Sequence, residues 1–379
     1  MTSGVVIADG EFEYAGTDAV APNVPIEVKD GARLYLNNIV EVFNVSHPIK
    51  IAGNISYDGT GDGALKIRIV ARIANLNAPI TVIDDAKIKI FSANSTVNFN
   101  APINGNGNLV FSSGGAGELH AHQIYFNAPS TFAGDVTFMN DLGASSYFHW
   151  GVDDAMPTNS VLSLGCMNYR EFTMKTGIDL KGYNQRTAGI SDGAKVQVRT
   201  ERFITNSVAN LITLTMDVGT ENSLVYSAPI GGKIALVKCG EGTQMLTGDG
   251  SARSGNITVQ HGGLLVDESY LLQADQVEVS HGAVLSLADA EATQNSSSQT
   301  ELFAGTDKLI AGEPAKIDIA AGVEVAVWRF AKDGVYKRAG TWGSTGSGAD
   351  NVDDEIFIGG GILQVLETGP ASATIILVR

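Results

Sequence analysis

The sequence predicts an all-β fold, and within that class a parallel β-helix (β-solenoid). Three observations predict it. Ile257-Thr-Val259-Gln-His261-Gly262 recurs twenty residues later as Val277-Glu-Val279-Ser-His281-Gly282, and Ile317-Asp-Ile319 with Gly322 falls a further forty residues on in the same phase. A fixed period near twenty, carried by β-branched residues and a glycine, is what stacked turns of one supersecondary unit require. Apolar stretches are short and many alternate with a period of two, the pattern of strands with one buried face. Glycine is abundant at 44 residues while charged residues make up only 17%, too few to clothe the solvent faces of long amphipathic helices.

The elements follow in order. Ile26-Glu-Val28, Arg33-Leu-Tyr-Leu36, Lys87-Ile-Lys-Ile90, Thr96-Val-Asn-Phe99 and Val136-Thr-Phe138 are expected strands. So are Lys195-Val-Gln-Val198, Leu211–Met216, Val323–Val327 and Ile362-Leu-Gln-Val365. Turns are expected at 58–63, 104–107, 112–117 and 346–348, where glycines supply positive φ. The unit reads strand, Asp-Gly or His-Gly corner, strand, as in Val28-Lys-Asp30-Gly31-Ala-Arg-Leu34 and Ile190-Ser-Asp192-Gly193-Ala-Lys-Val196. A stretch from Ala288 to Gln299 is expected as a loop or one short helix, and residues 341–354 as a looped excursion. No interior linker is visible, so the expectation is a single elongated domain over 1–379, with an N-terminal cap in 1–25 and C-terminal turns and cap in 339–379. An antiparallel sandwich or barrel also shows short alternating strands and is the alternative.

Charge narrows the partners. A net charge of −16 opposes sequence-independent nucleic-acid binding and attraction to anionic lipid. No segment approaches the ~20 apolar residues of a membrane-spanning helix, so no membrane insertion is expected of this chain. Cys166 and Cys239 form no metal motif. A disulfide between them would need two strands to bring them within bonding reach.

Several stretches resemble a known family. Met156-Pro-Thr-Asn-Ser-Val-Leu-Ser-Leu164, Gly177-Ile-Asp-Leu-Lys-Gly-Tyr-Asn-Gln185, Thr187-Ala-Gly-Ile190, Ile204-Thr-Asn206 and Leu211-Ile-Thr-Leu214 are similar to the autotransporter-associated β-strand repeat of verrucomicrobial and planctomycete surface proteins. Leu236-Val-Lys238-Cys-Gly240-Glu-Gly242-Thr-Gln-Met-Leu246-Thr-Gly248 and the following Asn256–Val266 resemble the passenger-associated repeat, and Gly340–Gly348 with Gly359–Val365 resembles its closing segment. The resemblance covers about half to two-thirds of the chain, mostly 156–266 and 339–368. It implies a right-handed parallel β-helix (β-solenoid), secreted or displayed at the cell surface in association with the outer membrane. The implied role is a non-enzymatic scaffold for adhesion or surface structure. Its motifs carry no catalytic residues. Lys181 and Arg186 stand where small polar residues are more usual in the family. Neither a signal segment nor an anchor is expected within 1–379. The expected partner is an extracellular glycan or surface protein, with self-association as an alternative. Further alternatives are a polysaccharide lyase or hydrolase, a glycan-binding module, or a self-assembling subunit.

Candidate sites were weighed by residue chemistry. His120-Ala-His122 with Glu118 on the same parity offers part of a zinc or copper site, with no third ligand apparent. His261 and His281, one period apart, suggest a ladder of stacked residues along a corner. No cofactor is expected, with calcium the alternative: Asp84-Asp85, Asp153-Asp154, Asp353-Asp354-Glu355, Asp58 and Asp62 offer oxygen ligands for it. Trp150, Trp328 and Trp342, with Tyr147, Phe148 and His149, offer either sugar-stacking platforms or core packing. No Gly-x-Ser-x-Gly, P-loop or His-Glu-x-x-His motif occurs. No catalytic, cofactor-binding or metal-binding residue is assigned.

Overall fold

The computed structural model describes residues 4–15, 23–38, 41–53, 63–69, 72–91, 94–114, 121–141, 145–167, 174–193, 200–288, 299–305 and 313–370. They are all-β, with long parallel sheets and one described α-helix, Glu268–Leu272. Contacts group into two compact units, Met1–Ile212 and Thr213–Arg379.

In the first unit two sheets advance together. One runs Val5–Ile7, Ile26–Val28, Ile49–Gly53, Ile80–Phe91, Leu109–Gly114, Val136–Asp141, Leu162–Met167, Ile190–Asp192. The other contains Val42–Val45, Ile73–Leu76, Thr96–Phe99, Ala121–Phe126, Ser145–Trp150, Met174–Asp179 and Thr200–Asn206, each beside the next. Every neighbouring pair in these two runs is parallel. Parallel neighbours need a long crossover. From Ile26–Val28 onward each crossover carries a strand of the other sheet, as Ala121–Phe126 lies between Leu109–Gly114 and Val136–Asp141. This alternation is compatible with solenoid winding.

In-register parallel pairing puts like beside like. Phe99, Phe126 and Trp150 are register partners, as are Phe111 and Phe138, and all five are buried. Phe99 and Phe126 stack at 5.2 Å and Phe111 and Phe138 at 5.5 Å, while Trp150 meets Phe126 edge-on at 5.6 Å. Such pairs add about 0.5–1.5 kcal/mol each beyond area burial. This aromatic column is the centre of the unit's core. The indole N–H of Trp150 donates to Gln185 Oε1 at 2.8 Å, and the Gln185 amide donates to the Met156 carbonyl at 3.2 Å. A polar lane lies beside the column: Ser146 Oγ meets Ser113 Oγ at 2.6 Å, and the buried Arg202 guanidinium reaches Asp192 at 2.5 Å.

In the second unit one sheet contains Ile230–Cys239, Ile257–Val259, Gln276–Val279, Glu301–Ala304 and Arg329–Lys332. A second runs Ser223–Tyr226, Thr243–Leu246, Gly263–Val266, Val284–Leu287, Lys316–Ile319, Phe357–Gly359. A third holds Glu324–Val327, Ile362–Val365, Gly340–Gly343 and Asn351–Val352. The twenty-residue repeat is real pairing: Ile257 faces Val277 and Val259 faces Val279. The further match at Ile317 is not the same row. Ile317 pairs with Leu285 and Phe357 in the second sheet, and the strand after Gln276–Val279 in the first is Glu301–Ala304. Strands of both sheets share one apolar pattern, so phase alone did not tell them apart. Two antiparallel pairs stand near the C-terminus, Arg329–Lys332 with Val335–Tyr336 and Gly340–Gly343 with Ile362–Val365.

Other expectations shift. Ser112-Ser-Gly114 ends the strand Leu109–Gly114 rather than forming a turn. Gly31 turns its corner at φ +83°, whereas Gly193 is needed for closeness, since a Cβ there would lie 2.7 Å from the Gly165 nitrogen. The expected strand Lys195–Val198, the turn residues 58–62 and 115–117, and residues 289–298 of the expected loop lie outside the described residues. The described helix was unforeseen. Asp267 caps it by accepting from the Ser269 amide, and it carries Tyr270 into the core. Cys239 is buried.

Candidate functional site

The most developed surface lies on the outward side of the second sheet of the first unit. Alternation along each strand sends residues at every second position outward, and the register aligns them across strands. One outward lane is Val42, Ile73, Thr96, Gln123, Tyr147, Gly177 and Phe203. The lane beside it is Asn44, Asn75, Asn98, Tyr125, His149, Asp179 and Thr205.

The second lane begins as an amide ladder. Asn75 Nδ2 donates to Asn44 Oδ1 at 2.9 Å and Asn98 Nδ2 to Asn75 Oδ1 at 2.8 Å. A parallel ladder stands just beyond the strand ends: Asn100 donates to Asn77 at 2.9 Å and Asn127 to Asn100 at 2.8 Å. A carboxamide has two N–H donors and two acceptor lone pairs. A residue inside either ladder spends one of each along the row and keeps one of each for solvent.

Past Asn98 the lane changes character. The Tyr125 ring stacks on the His149 imidazole with centroids 4.5 Å apart, and His149 Nε2 lies 2.6 Å from Gln123 Oε1. His149 Nδ1 stands 3.6 Å from Asp179 Oδ2, an ion-pair distance slightly long for a hydrogen bond. Asp179 Oδ1 accepts from the Lys181 and Ser207 amides at 3.1 and 3.0 Å, and Lys181 Nζ lies 3.2 Å from Oδ2. Burial resists the charge of Asp179, but the His149 ring, the amide and hydroxyl of Ser207 and the Lys181 amide outweigh it and hold the carboxyl well below its usual range. In the neighbouring lane the Phe203 ring lies over Gly177, where a Cβ would come within 2.3 Å of it, and its centroid is 6.2 Å from that of Tyr147. The absent side chain at Gly177 makes room for the ring.

The corners hold further ladders. Asp85 Oδ1 accepts from the Asn108 amide, Asn108 Oδ1 from the Asp135 amide, and Asp135 Oδ1 from the Val161 amide, at 2.8, 2.8 and 2.9 Å. In the second unit the buried Lys238 ammonium donates to the carbonyls of Cys239, Gly240 and His261 at 2.8, 2.7 and 3.1 Å. Burial pulls its pKa down to about 8. Arg253, also buried, donates to the carbonyls of Ile234, Gly255 and Tyr270 at 2.9, 2.8 and 2.7 Å.

The residues singled out from sequence are mostly elsewhere. His122 is interior, 2.8 Å from Ser95 Oγ, while His120 and Glu118 lie outside the described residues. His261 and His281 occupy equivalent positions, but their recorded ion-pair contacts are with Glu241 at 3.8 Å and Asp333 at 3.3 Å, not with each other. Trp150 and Phe148 are fully buried, so they are core and not platforms. Trp328 carries the Arg329 guanidinium 3.7 Å above its ring, and Trp342 donates to the Arg338 carbonyl. Tyr147 and His149 do join the outward face.

The acidic pairs are occupied by the protein's own groups. Asp153 and Asp154 accept from the Asn184 and Arg186 amides, Asp353 and Glu355 hold Lys332, and Asp354 accepts from the Thr345 amide and hydroxyl. No group of three or more His, Cys, Asp or Glu able to hold a metal occurs among the described residues; Asp58 and Asp62 lie outside them.

The asparagine ladders were missed, although a signal was present. Asn-Ala-Pro-Ile stands at 77–80 and again at 100–103, with Asn-Ala-Pro-Ser at 127–130. The proline carbonyls serve the corners: Ile49 N–H donates to the Pro79 carbonyl and Ile80 N–H to that of Pro102. No family model, curated protein or solved structure matches this chain.

Proposed function

We propose that the chain is a right-handed parallel β-helix of the cell-surface, autotransporter-passenger type, working as a non-enzymatic scaffold for adhesion or surface structure. The observation that supports this reading best is the parallel register itself. Strands of each sheet pair with strands one repeat away, and their side chains line up in ladders on the face and at the corners. Such a body is a stiff support whose surface repeats at the spacing of its strands, about 4.8 Å. The described acidic pairs are spent on amides and cations of the protein itself, which suits support rather than acid–base chemistry.

The test has two readings. Antibody against the full chain should label intact producing cells, and protease added outside should remove that label. The purified chain should release no reducing ends from a panel of polysaccharides. Labelling only after permeabilisation would sink the surface assignment. Reducing-end release that grows with time would replace the scaffold with a carbohydrate-active enzyme on the same framework.

A further inference from the structure

We propose that the outward face of the second sheet of Met1–Ile212 binds a neutral, linear polysaccharide, laid across the strands along the Asn44–Asn75–Asn98 and Val42–Ile73–Thr96 lanes and ending on the Tyr147–Phe203 platform. The proposal deepens the surface-scaffold reading and rests on it for where the polymer is met.

Three features of the face point to this ligand. The first is hydrogen-bonding chemistry. Asn75 and Asn100, inside the two ladders, each use one donor and one acceptor along the row and have one of each left over, while Asn77 ties the ladders together by donating to Asn44 Oδ1 at 3.5 Å. A sugar hydroxyl is also both donor and acceptor, so a row of amides meets a row of hydroxyls without leaving either kind of group unmatched. The amides are held in place by the ladder before any ligand arrives, which lowers the entropic cost of binding. Their spacing is that of parallel strands, about 4.8 Å, of the same order as one sugar residue in an extended chain.

The second is the apolar lane beside them. Val42 and Ile73 are register partners, 44% and 39% exposed respectively. Farther along, the Phe203 ring covers Gly177 beside Tyr147, the two rings tilted 49° to one another. Pyranose rings present C–H faces as well as hydroxyl edges. An apolar lane flanked by an amide lane matches both sides of one ring, the usual composition of a small-molecule site drawn out into a line.

The third is charge. The chain carries −16 overall, yet from Val42 to Tyr147 and from Asn44 to His149 the two lanes contain no Asp, Glu, Lys or Arg. At the far end the charges pair with one another: Lys181 with Asp179 and Lys175 with Glu201. A polyanionic glycan would be repelled by the chain as a whole and find no cation along the lanes. A neutral polymer faces neither obstacle.

Affinity electrophoresis of the full chain tests this, in gels containing a soluble linear β-glucan, a linear xylan, or polygalacturonate. Retardation by at least one neutral polymer, and not by polygalacturonate, is expected. Phe203→Ala and Asn98→Ala should each weaken it about ten-fold. Val225→Ser, on an exposed strand of the second unit, should leave it unchanged. Tyr147→Ser, at a half-exposed position, repeats the test should Asn98→Ala unfold. Equal retardation of wild type and face variants overturns the proposal, as does retardation by polygalacturonate alone or by no neutral polymer. Cell labelling is independent of these lanes, so a surface protein that ignores every neutral glycan removes this proposal and leaves the scaffold reading intact.

Discussion

Replacing Gln185 by leucine should cost the first unit about 3 kcal/mol. Gln185 is buried and acts as a four-way tie: its Oε1 accepts from the Trp150 indole at 2.8 Å and the Met156 amide at 3.3 Å, and its Nε2 donates to the carbonyls of Met156 and Arg186. Arg186 is exposed, and its carbonyl can turn to water. The Trp150 N–H and the Met156 N–H and C=O cannot. Leaving a buried polar group without a partner costs about 1–3 kcal/mol. Three such groups at the low end give about 3 kcal/mol, a large share of the 5–15 kcal/mol by which domains are stable. Leucine fills a similar volume, so little of the loss comes from a cavity. The assay is urea denaturation in a Trp328→Phe, Trp342→Phe background, where Trp150 alone reports. The midpoint should fall with an unchanged slope. Trp150→Phe removes the indole donor, and its cycle with Gln185→Leu, followed by far-UV circular dichroism in the otherwise wild-type chain, should show a coupling of about 1–2 kcal/mol. A Gln185→Leu loss under about 1 kcal/mol, or no coupling, would refute the tie.

Gly107→Ala should prevent the first unit from folding, because a Cβ there would sit 2.2 Å from the Asp84 carbonyl carbon, whereas Gly31→Ala meets nothing within 4 Å at φ +83° and should cost only about 1–2 kcal/mol; circular dichroism and thermal melts of the two variants decide. Asp179 ionises more readily folded than unfolded, so its stabilisation is full above the ordinary pKa near ~4 and fades as pH falls through and below that value. Asp179→Asn should therefore be less stable at pH 7 and show a flatter acid limb in denaturation midpoints; parallel limbs would contradict this. Lys238 titrates at about 8 in the fold against an ordinary value near ~10.4. Between those values the unfolded chain holds more protons, so the stability of wild type relative to Lys238→Met should rise with pH across that window, read from urea midpoints. Arg253→Lys should destabilise the second unit by about 2–4 kcal/mol, since one ammonium cannot span the carbonyls of Ile234, Gly255 and Tyr270.

The fold class was legible because its signals are local. Thr96–Phe99, Ile26–Val28 and Ile362–Val365 emerge as strands with the expected bounds, and the two His-Gly copies pair as their spacing required. What escaped depends on which row a strand joins. Ile317 has the same local pattern as Ile257 but sits in another sheet, and period alone holds no record of the insertions between rows. The histidines at 261 and 281 looked like a ladder for their identity, and they do follow paired strands, but the side chains beside them are Glu241 and Asp333 on other segments. The true ladder is asparagine, at separations of 23 and 27 residues, and unequal repeat lengths hid it from a search for one fixed period. His149 and Asp179 come together only through register, thirty positions apart.

The stretch Lys238-x-Gly240-x-Gly242 has a physical role beyond its resemblance to a repeat motif. A corner in a parallel stack turns carbonyls toward one another, and some charge must quiet them. Lys238 does so from inside, donating to three carbonyls. Backbones can approach that closely only without side chains. A Cβ on Gly240 would lie 2.3 Å from the Val218 oxygen, one on Gly242 2.1 Å from the Gly219 oxygen, and one on Gly262 2.4 Å from the Gly242 oxygen. Lysine and glycines are thus one device: the glycines bring the rows together and the ammonium satisfies the oxygens that closeness exposes. The first unit solves the corresponding problem from outside, with Asp85, Asn108 and Asp135 each capping an amide of the next row. An interior cation donating to carbonyls and an exterior row of side chains accepting from amides make different demands on sequence. The first demands a fixed residue at a fixed offset and is visible as a motif; the second tolerates Asp or Asn at variable spacing and leaves almost no pattern to find.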